Sequence, residues 1–134
     1  MDSTTRELVK GHIQKAVQKL AVARRLLESG DYDDSVSRAY YAAFHGARAL
    51  LVSAGQNPGT HHGVVTLFHL LFVKTGRIAR DAAKSLTSLK DDRESVDYEL
   101  FSDSDQGDAQ NAVREGERFL DAATTLLRGE SLLD

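Results

Sequence analysis

The chain has 134 residues, of which 41% are hydrophobic and 28% are charged. This composition is typical of a soluble globular protein, and the length predicts one core and a single domain over residues 1–134. A formal net charge of −3 excludes a global basic field that would attract nucleic acid, and the absence of cysteine excludes disulfides, thiolate catalysis and cysteine-ligated zinc. No apolar run approaches the roughly 20 residues of a membrane span, and the polar N-terminus does not resemble a signal peptide, so we expect a cytoplasmic protein without membrane contact.

Apolar residues at helical spacing predict a first helix over about residues 5–28. Gly30 ends this helix, and Asp31 is expected to cap a second helix that continues to about residue 54. The positions that we expect the first helix to bury are Val9, Ile13, Ala16, Val17, Leu20, Ala23 and Leu27.

Three more helices follow a turn around Pro58, the only proline of the chain. Thr60 is the expected cap of a third helix over about residues 61–75. This helix is apolar over most of its circumference, so it lies either in the centre of the core or between the core and a dimer seam. A fourth helix is predicted over about residues 78–100 and a fifth over about residues 105–127. No segment alternates with the period of a strand, and short connections favour antiparallel neighbours, so we predict an all-α fold, an up-and-down bundle of about five helices.

The second helix carries polar side chains that a packed core does not require. At about 100° per residue its core face is complete. A ridge beside that face holds Ser37, Tyr41, His45 and Arg48, with Arg38 just beyond it. A hydroxyl, a phenol, an imidazole and a guanidinium on one ridge could bind a phosphate, or could form a solvated edge or a subunit contact.

Arg93 lies on the apolar stripe of the fourth helix, close to Leu89 and Val96. Because a guanidinium cannot lose its charge, Arg93 must pair with a carboxylate, extend to the surface, or face a cavity or a partner. The available carboxylates are Asp91, Asp92, Asp97 or an acid on another helix, and a structural pair and a site role both stay open. Tyr98 lies near the same expected groove.

His61 and His62 open the third helix, where backbone amides favour an anion. We interpret His61 either as packed in the loop or as a donor to an anion, whereas His12 and His69 stand alone and are expected to be structural. The histidine spacing fits no zinc motif, and the acidic run from Asp103 lacks the glycine and glutamate of a calcium loop. We therefore expect no metal and no cofactor.

Four segments together closely resemble the HEPN domain family, and more specifically its small stand-alone prokaryotic members. They are Arg38-Ala-Tyr-Tyr-Ala-Ala-Phe-His-Gly-Ala-Arg-Ala-Leu-Leu51, Thr60-His-His-Gly-Val64, Phe72-Val-Lys-Thr-Gly76 and Arg93-Glu-Ser-Val-Asp-Tyr98. The resemblance covers about residues 8–127. It implies an all-α bundle that dimerises, with a polar groove at or near the dimer interface. Many members are encoded beside a minimal nucleotidyltransferase and act as the toxin of a toxin–antitoxin pair.

The resemblance also implies a chemistry, because active members are metal-independent endoribonucleases. Their signature is an arginine followed by a histidine after four to six residues. Here Arg93 matches the arginine, but Tyr98, Glu99 and Leu100 occupy the three allowed histidine positions. A tyrosine with a pKa of about 10 is a poor base at neutral pH. The signature is therefore not intact.

We expect a homodimeric HEPN protein that binds a nucleotide, RNA or a partner protein, with a minimal nucleotidyltransferase as the partner that the resemblance implies. The residues expected to line its groove are Tyr41, His45, Arg48, His61, Arg93 and Tyr98. One alternative is metal-independent RNA cleavage by the dimer, in which Arg93 stabilises charge and His45 or His61 moves the proton. Another is a purely structural interaction module whose groove accepts a helix.

Overall fold

The computed structural model describes residues 2–98, without the side chain of Tyr98, and residues 103–133. Within these ranges the chain forms α-helices and one π-helical segment, and no strand occurs there. The elements are α1 (Ser3–Ser29), α2 (Tyr32–Ser53), α3 (His61–Phe68), the π-helical segment (His69–Val73), α4 (Arg80–Tyr98) and α5 (Gln106–Gly129). The predicted all-α bundle is confirmed. No helix of the described residues is both long and apolar enough to cross a membrane.

The central helix of the bundle is α2, which packs against α1, α3, α4 and α5. Small residues allow this close packing, because a Cβ atom on Gly46 would lie 3.3 Å from Cε1 of Phe119 in α5. The core therefore surrounds α2 on most sides. The polar ridge of α2 is left at the edge, between α1 and α4.

The helix ends show which predicted caps form. The backbone N–H of Gly63 donates to the side chain of Thr60 at 2.9 Å, which confirms the predicted cap of α3. Asp31 is the N-cap residue of α2, as predicted, but its side chain makes no capping hydrogen bond. That carboxylate instead accepts a hydrogen bond from the Ser29 hydroxyl at 2.7 Å, so it closes the turn between α1 and α2.

The predicted third helix differs from the structure in its second half. Regular α-helix ends at Phe68, and the chain continues as a π-helical segment in which the N–H of Lys74 donates to the carbonyl of His69 at 2.9 Å. Phe68 and Phe72 are fully buried, whereas Leu70 is 49% exposed. One side of this region is therefore core, and the side that carries Leu70 faces solvent.

Two expectations about buried positions need correction or qualification. Val17 is 52% exposed, because it lies at the rim of the groove between α1 and α5 rather than beneath it. Ile78, the predicted first residue of the fourth helix, is buried but precedes α4, which begins at Arg80. Leu100, at the predicted end of the fourth helix, lies outside the described residues.

Candidate functional site

The side chain of Arg93 joins α4 to α2. Its Nη2 donates a hydrogen bond to the hydroxyl of Tyr41 at 2.9 Å, and its Nε lies 2.8 Å from Oδ2 of Asp97. The contact with Asp97 is an ion pair without the angle of a hydrogen bond. The Arg93 side chain is still 19% exposed. The sequence left open whether Arg93 pairs with a carboxylate or extends to the surface. In the structure it pairs with Asp97 and also stays partly exposed.

Aromatic rings explain why α4 tolerates a guanidinium on an apolar stripe. The Cζ atom of Arg93 lies 5.2 Å from the ring centroid of Tyr41 and 5.4 Å from that of Tyr40. A cation at such distances is attracted by the negative face of the ring. Tyr40 is almost completely buried, and burial raises the pKa of its phenol to about 12, although the positive charge of Arg93 opposes that rise.

His61 adds an imidazole beside this pair. Its ring stacks on Phe44 with centroids 4.1 Å apart and meets the ring of Tyr41 edge-on at 6.1 Å. Desolvation lowers the pKa of His61, and the positive charges of Arg93 and Arg48 lower it further. Because an ordinary histidine pKa is about 6.5, His61 is a neutral imidazole at pH 7. The cap by Thr60, one residue earlier, fixes where α3 places this ring.

Arg48 lies near three histidines, which are His61 and the pair of His12 and His45. Its Nη2 donates to Oδ1 of Asn57 at 2.9 Å, whereas its Nε is buried and has no hydrogen-bond partner within residues 2–98 and 103–133. The charge of Arg48 contributes to the lowered pKa values of His12, His45 and His61. A buried donor without a partner costs free energy. The charge of Arg48, rather than this buried nitrogen, is what the groove can offer to an anion.

His45 faces α1 rather than Arg93. Its Nδ1 lies 3.3 Å from Nδ1 of His12, with the two rings 5.5 Å apart. Burial, followed by the charges of His12, Arg48, Lys19 and Lys15, lowers the pKa of His45 to about 4. Both imidazoles are therefore neutral at pH 7, and one ring N–H can donate to the other ring nitrogen.

The structure thus brings Tyr41, His61 and Arg93 into one cluster, with Arg48 next to it and His45 on its far side. The side chain of Tyr98, the remaining candidate, lies outside the described residues. Sequence reasoning missed His12, which stands 33 residues from its partner and carries no signal in the sequence. No group of three or more side chains suited to a metal occurs in the described part of the chain.

The model of the HEPN domain family matches residues 9–127. The chain belongs to the HEPN domain family. It is 34% identical to Putative toxin MJ0605 of Methanocaldococcus jannaschii over 96% of its own length and 95% of that protein. It is 30% identical to Putative toxin MJ0142 of the same organism, over 96% of this chain and 86% of that one.

A solved structure shares the fold of this HEPN chain. The crystal structure of TT1696 from Thermus thermophilus superposes with a TM-score of 0.76 and covers 89% of this chain and 98% of its own. The two sequences are only 17% identical. The likeness therefore supports the HEPN-like helical bundle and carries no statement about function.

Proposed function

We propose that this HEPN protein acts as the toxin-like component of a toxin–antitoxin pair and binds a phosphate-containing ligand, a nucleotide or RNA, at Tyr41, Arg48, His61 and Arg93. The observation that carries the proposal is the partly exposed guanidinium of Arg93, hydrogen-bonded to Tyr41 at 2.9 Å with His61 beside it. The charge of Arg48 acts on the same imidazole. The toxin names of two relatives support the first part.

The cluster has the chemistry that a phosphate requires. A guanidinium presents several donors in a rigid fork that matches phosphate oxygens. The Tyr41 hydroxyl accepts its hydrogen bond from Arg93, so its own proton is available to a ligand oxygen. The exposed ring of His61 and the partly exposed ring of Tyr41 offer stacking surfaces to a base. Asp97 competes for Arg93, so a ligand phosphate would share or replace that ion pair.

The experiment compares Arg93→Ala and Arg48→Ala with Arg80→Ala, an exposed arginine at the start of α4. Titration calorimetry with ATP and with a 12-nucleotide single-stranded RNA measures binding, and circular dichroism measures helicity. We expect Arg93→Ala to abolish binding and leave the helicity intact, and Arg48→Ala to weaken binding strongly. Arg80→Ala should bind as the unaltered protein does.

Two outcomes would reject the proposal. If Arg93→Ala and Arg93→Lys both unfold, Arg93 is a structural ion of the bundle rather than a ligand-binding residue. If both variants fold and bind ATP and RNA as tightly as Arg80→Ala, the cluster does not hold a phosphate.

A second candidate is metal-independent RNA cleavage, which the position of His61 favours. His61 is neutral at pH 7 and lies beside the Tyr41–Arg93 pair, whereas His45 is paired with His12. In that reaction His61 takes the proton of the ribose 2′-hydroxyl and the 2′-oxygen attacks phosphorus. The bond to the 5′-oxygen breaks, the leaving oxygen takes a proton from water, and the products are a 2′,3′-cyclic phosphate and a 5′-hydroxyl. Arg93 stabilises the charge that develops on the phosphoryl oxygens.

Cleavage is tested with purified protein, RNA and a chelator. Turnover that is lost in His61→Ala and retained in His45→Ala supports this candidate. RNA that stays intact in the presence of the unaltered protein contradicts it.

The partners are proposals that rest on the family resemblance. We propose a homodimer and a complex with a minimal nucleotidyltransferase, tested by light scattering of the isolated protein and by co-purification with such an enzyme encoded beside it. A stable complex that binds neither ATP nor RNA would favour the purely structural module instead.

A further inference from the structure

We propose that the binding surface continues beyond Arg48 along the seam between α1 and α2, and that its occupant is the phosphate backbone of a single-stranded oligonucleotide. This basic track consists of four cations, Arg48, Lys15, Lys19 and Arg38, with the neutral imidazoles of His45 and His12 between them. The inference rests on the proposed function, because the phosphate site at Arg48 and Arg93 forms one end of the track.

Two contacts define how α1 and α2 lie against each other. The Ser35 hydroxyl donates to the carbonyl of Ala23 at 2.7 Å, and His12 meets His45 at 3.3 Å. Residue 23 therefore faces residue 35, and residue 12 faces residue 45, so the helices are antiparallel. Along α1, Lys19 lies between Ala23 and His12. The same antiparallel register places Lys19 opposite Arg38 on α2.

Helical spacing keeps the side chains of the track on one surface. His12, Lys15 and Lys19 are three and seven residues apart on α1, which places them on one face. Arg38, His45 and Arg48 follow the polar ridge of α2 in the same way. Over the ten residues from Arg38 to Arg48, the track is about 15 Å long at 1.5 Å per residue.

The electrostatics agree with this placement. Lys15, Lys19 and Arg48 all lie near enough to His45 for their charges to contribute to its lowered pKa. Lys15 and Arg38 are exposed, and Lys19 is half-buried. These side chains form a local positive surface on a chain whose net charge is −3. Asp34, one turn before Arg38 on α2, marks the acidic end of the track.

The line of charges fits a nucleic-acid strand better than a mononucleotide. At 3.4 Å per phosphate along a stacked strand, about 15 Å corresponds to about four phosphates. A mononucleotide would occupy only the end at Arg48 and Arg93. The faces of His61 and Tyr41 at that end can stack on a base, which an acidic protein segment would not use.

The experiment pairs Lys15→Ala/Lys19→Ala with Lys74→Ala/Lys84→Ala, which removes the same charge from exposed lysines outside the track. Fluorescence anisotropy measures binding of a labelled 12-nucleotide single-stranded RNA between 50 and 200 mM salt. We expect the first variant to bind RNA about tenfold more weakly than the unaltered protein. The slope of log affinity against log salt should become shallower by about 1.4, because each of the two lost phosphate contacts contributes about 0.7 in a single strand. The second variant should match the unaltered protein, and both should bind ATP normally.

The track is rejected if the two double variants bind RNA equally well. It is also rejected if a 12-residue polyglutamate competes as well as RNA, because the surface would then select a protein or any polyanion. The proposed function fails separately, when Arg93→Ala retains ATP binding. If Arg93→Ala loses ATP binding while Lys15→Ala/Lys19→Ala binds RNA normally, only the track is wrong.

Discussion

Arg93 on α4 donates a hydrogen bond to the hydroxyl of Tyr41 on α2 at 2.9 Å, across 52 residues of sequence. The same guanidinium lies over the rings of Tyr40 and Tyr41. One side chain therefore connects two helices while 19% of it stays exposed. The hydrogen bond fixes the direction of the guanidinium.

Replacing Tyr41 by Phe removes the acceptor and keeps the ring. Hydrogen bonds to charged groups contribute about 1.5–3 kcal/mol when buried, and partial exposure reduces that contribution here to about 1 kcal/mol. We expect Tyr41→Phe to lower the free energy of urea unfolding by that amount and to weaken ATP binding several-fold, because Arg93 loses its fixed orientation.

Tyr32→Phe is the matched control, since Tyr32 is a half-buried tyrosine at the start of α2, away from Arg93. It should retain ATP affinity. Equal ATP affinity in both variants would show that the Tyr41 hydroxyl does not organise the site.

The fold follows closely from the apolar pattern, because α1, α2 and α5 are amphipathic helices with clear ends. The π-helical segment could not be predicted, since its apolar residues fit an α-helix equally well. Phe68 and Phe72 are both buried, and their four-residue spacing suits an α-helix as well. The exposure of Val17 likewise depends on where α5 lies relative to α1.

The candidate site was predictable only as far as helical spacing extends. That spacing places Tyr41, His45 and Arg48 on one ridge of α2. The contacts that give the ridge its chemistry join residues distant in sequence: Arg93 with Tyr41, and His12 with His45. A single sequence contains no periodic signal for such pairs, so tertiary packing alone revealed them.

Two glycines in helices should respond to alanine in opposite ways. A Cβ atom on Gly116 would lie 3.1 Å from Cδ1 of Leu20 and 3.4 Å from the carbonyl oxygen of Ala39, whereas one on Gly11 would meet nothing within 4 Å. We expect Gly116→Ala to destabilise the protein by about 1–2 kcal/mol through overpacking. Gly11→Ala should stabilise it by about 0.5–1 kcal/mol through helix propensity.

Thermal and urea unfolding of both variants measure this difference. Gly11→Ala is the control for the intrinsic gain from alanine in a helix. A Gly116→Ala variant that is as stable as Gly11→Ala would mean that α1, α2 and α5 pack less closely around residue 116 than the structure indicates.

The His12–His45 pair predicts that the protein loses stability in mild acid. The unfolded chain binds a proton at His45 near pH 6.5, whereas folded His45 stays neutral down to a pKa of about 4. Protons therefore favour the unfolded state in this window, so the stabilisation is complete above about pH 6.5 and is lost as the pH falls towards 4. After allowance for partial exposure, we expect a loss of about 2 kcal/mol.

Urea unfolding between pH 7.5 and 4.5 measures this loss. His45→Gln should flatten the pH dependence, whereas His62→Gln, a change at an exposed histidine of α3, should leave it steep. An unaltered protein whose stability is constant from pH 6.5 to 4.5 would contradict the buried, neutral pair.

Ligand binding should show the opposite response to pH through His61. Desolvation and the charges of Arg93 and Arg48 lower the pKa of this imidazole. A bound phosphate would offset those two charges and raise the pKa again, so ligand and proton would bind cooperatively. We expect the affinity for ATP to increase as the pH falls from 7.5 to 5.5. Calorimetry should detect the proton uptake as a binding enthalpy that depends on the ionisation enthalpy of the buffer.

His61→Asn should remove the His61 contribution to this proton uptake while leaving the guanidinium contacts in place. An enthalpy that does not vary with the buffer would place the phosphate away from His61.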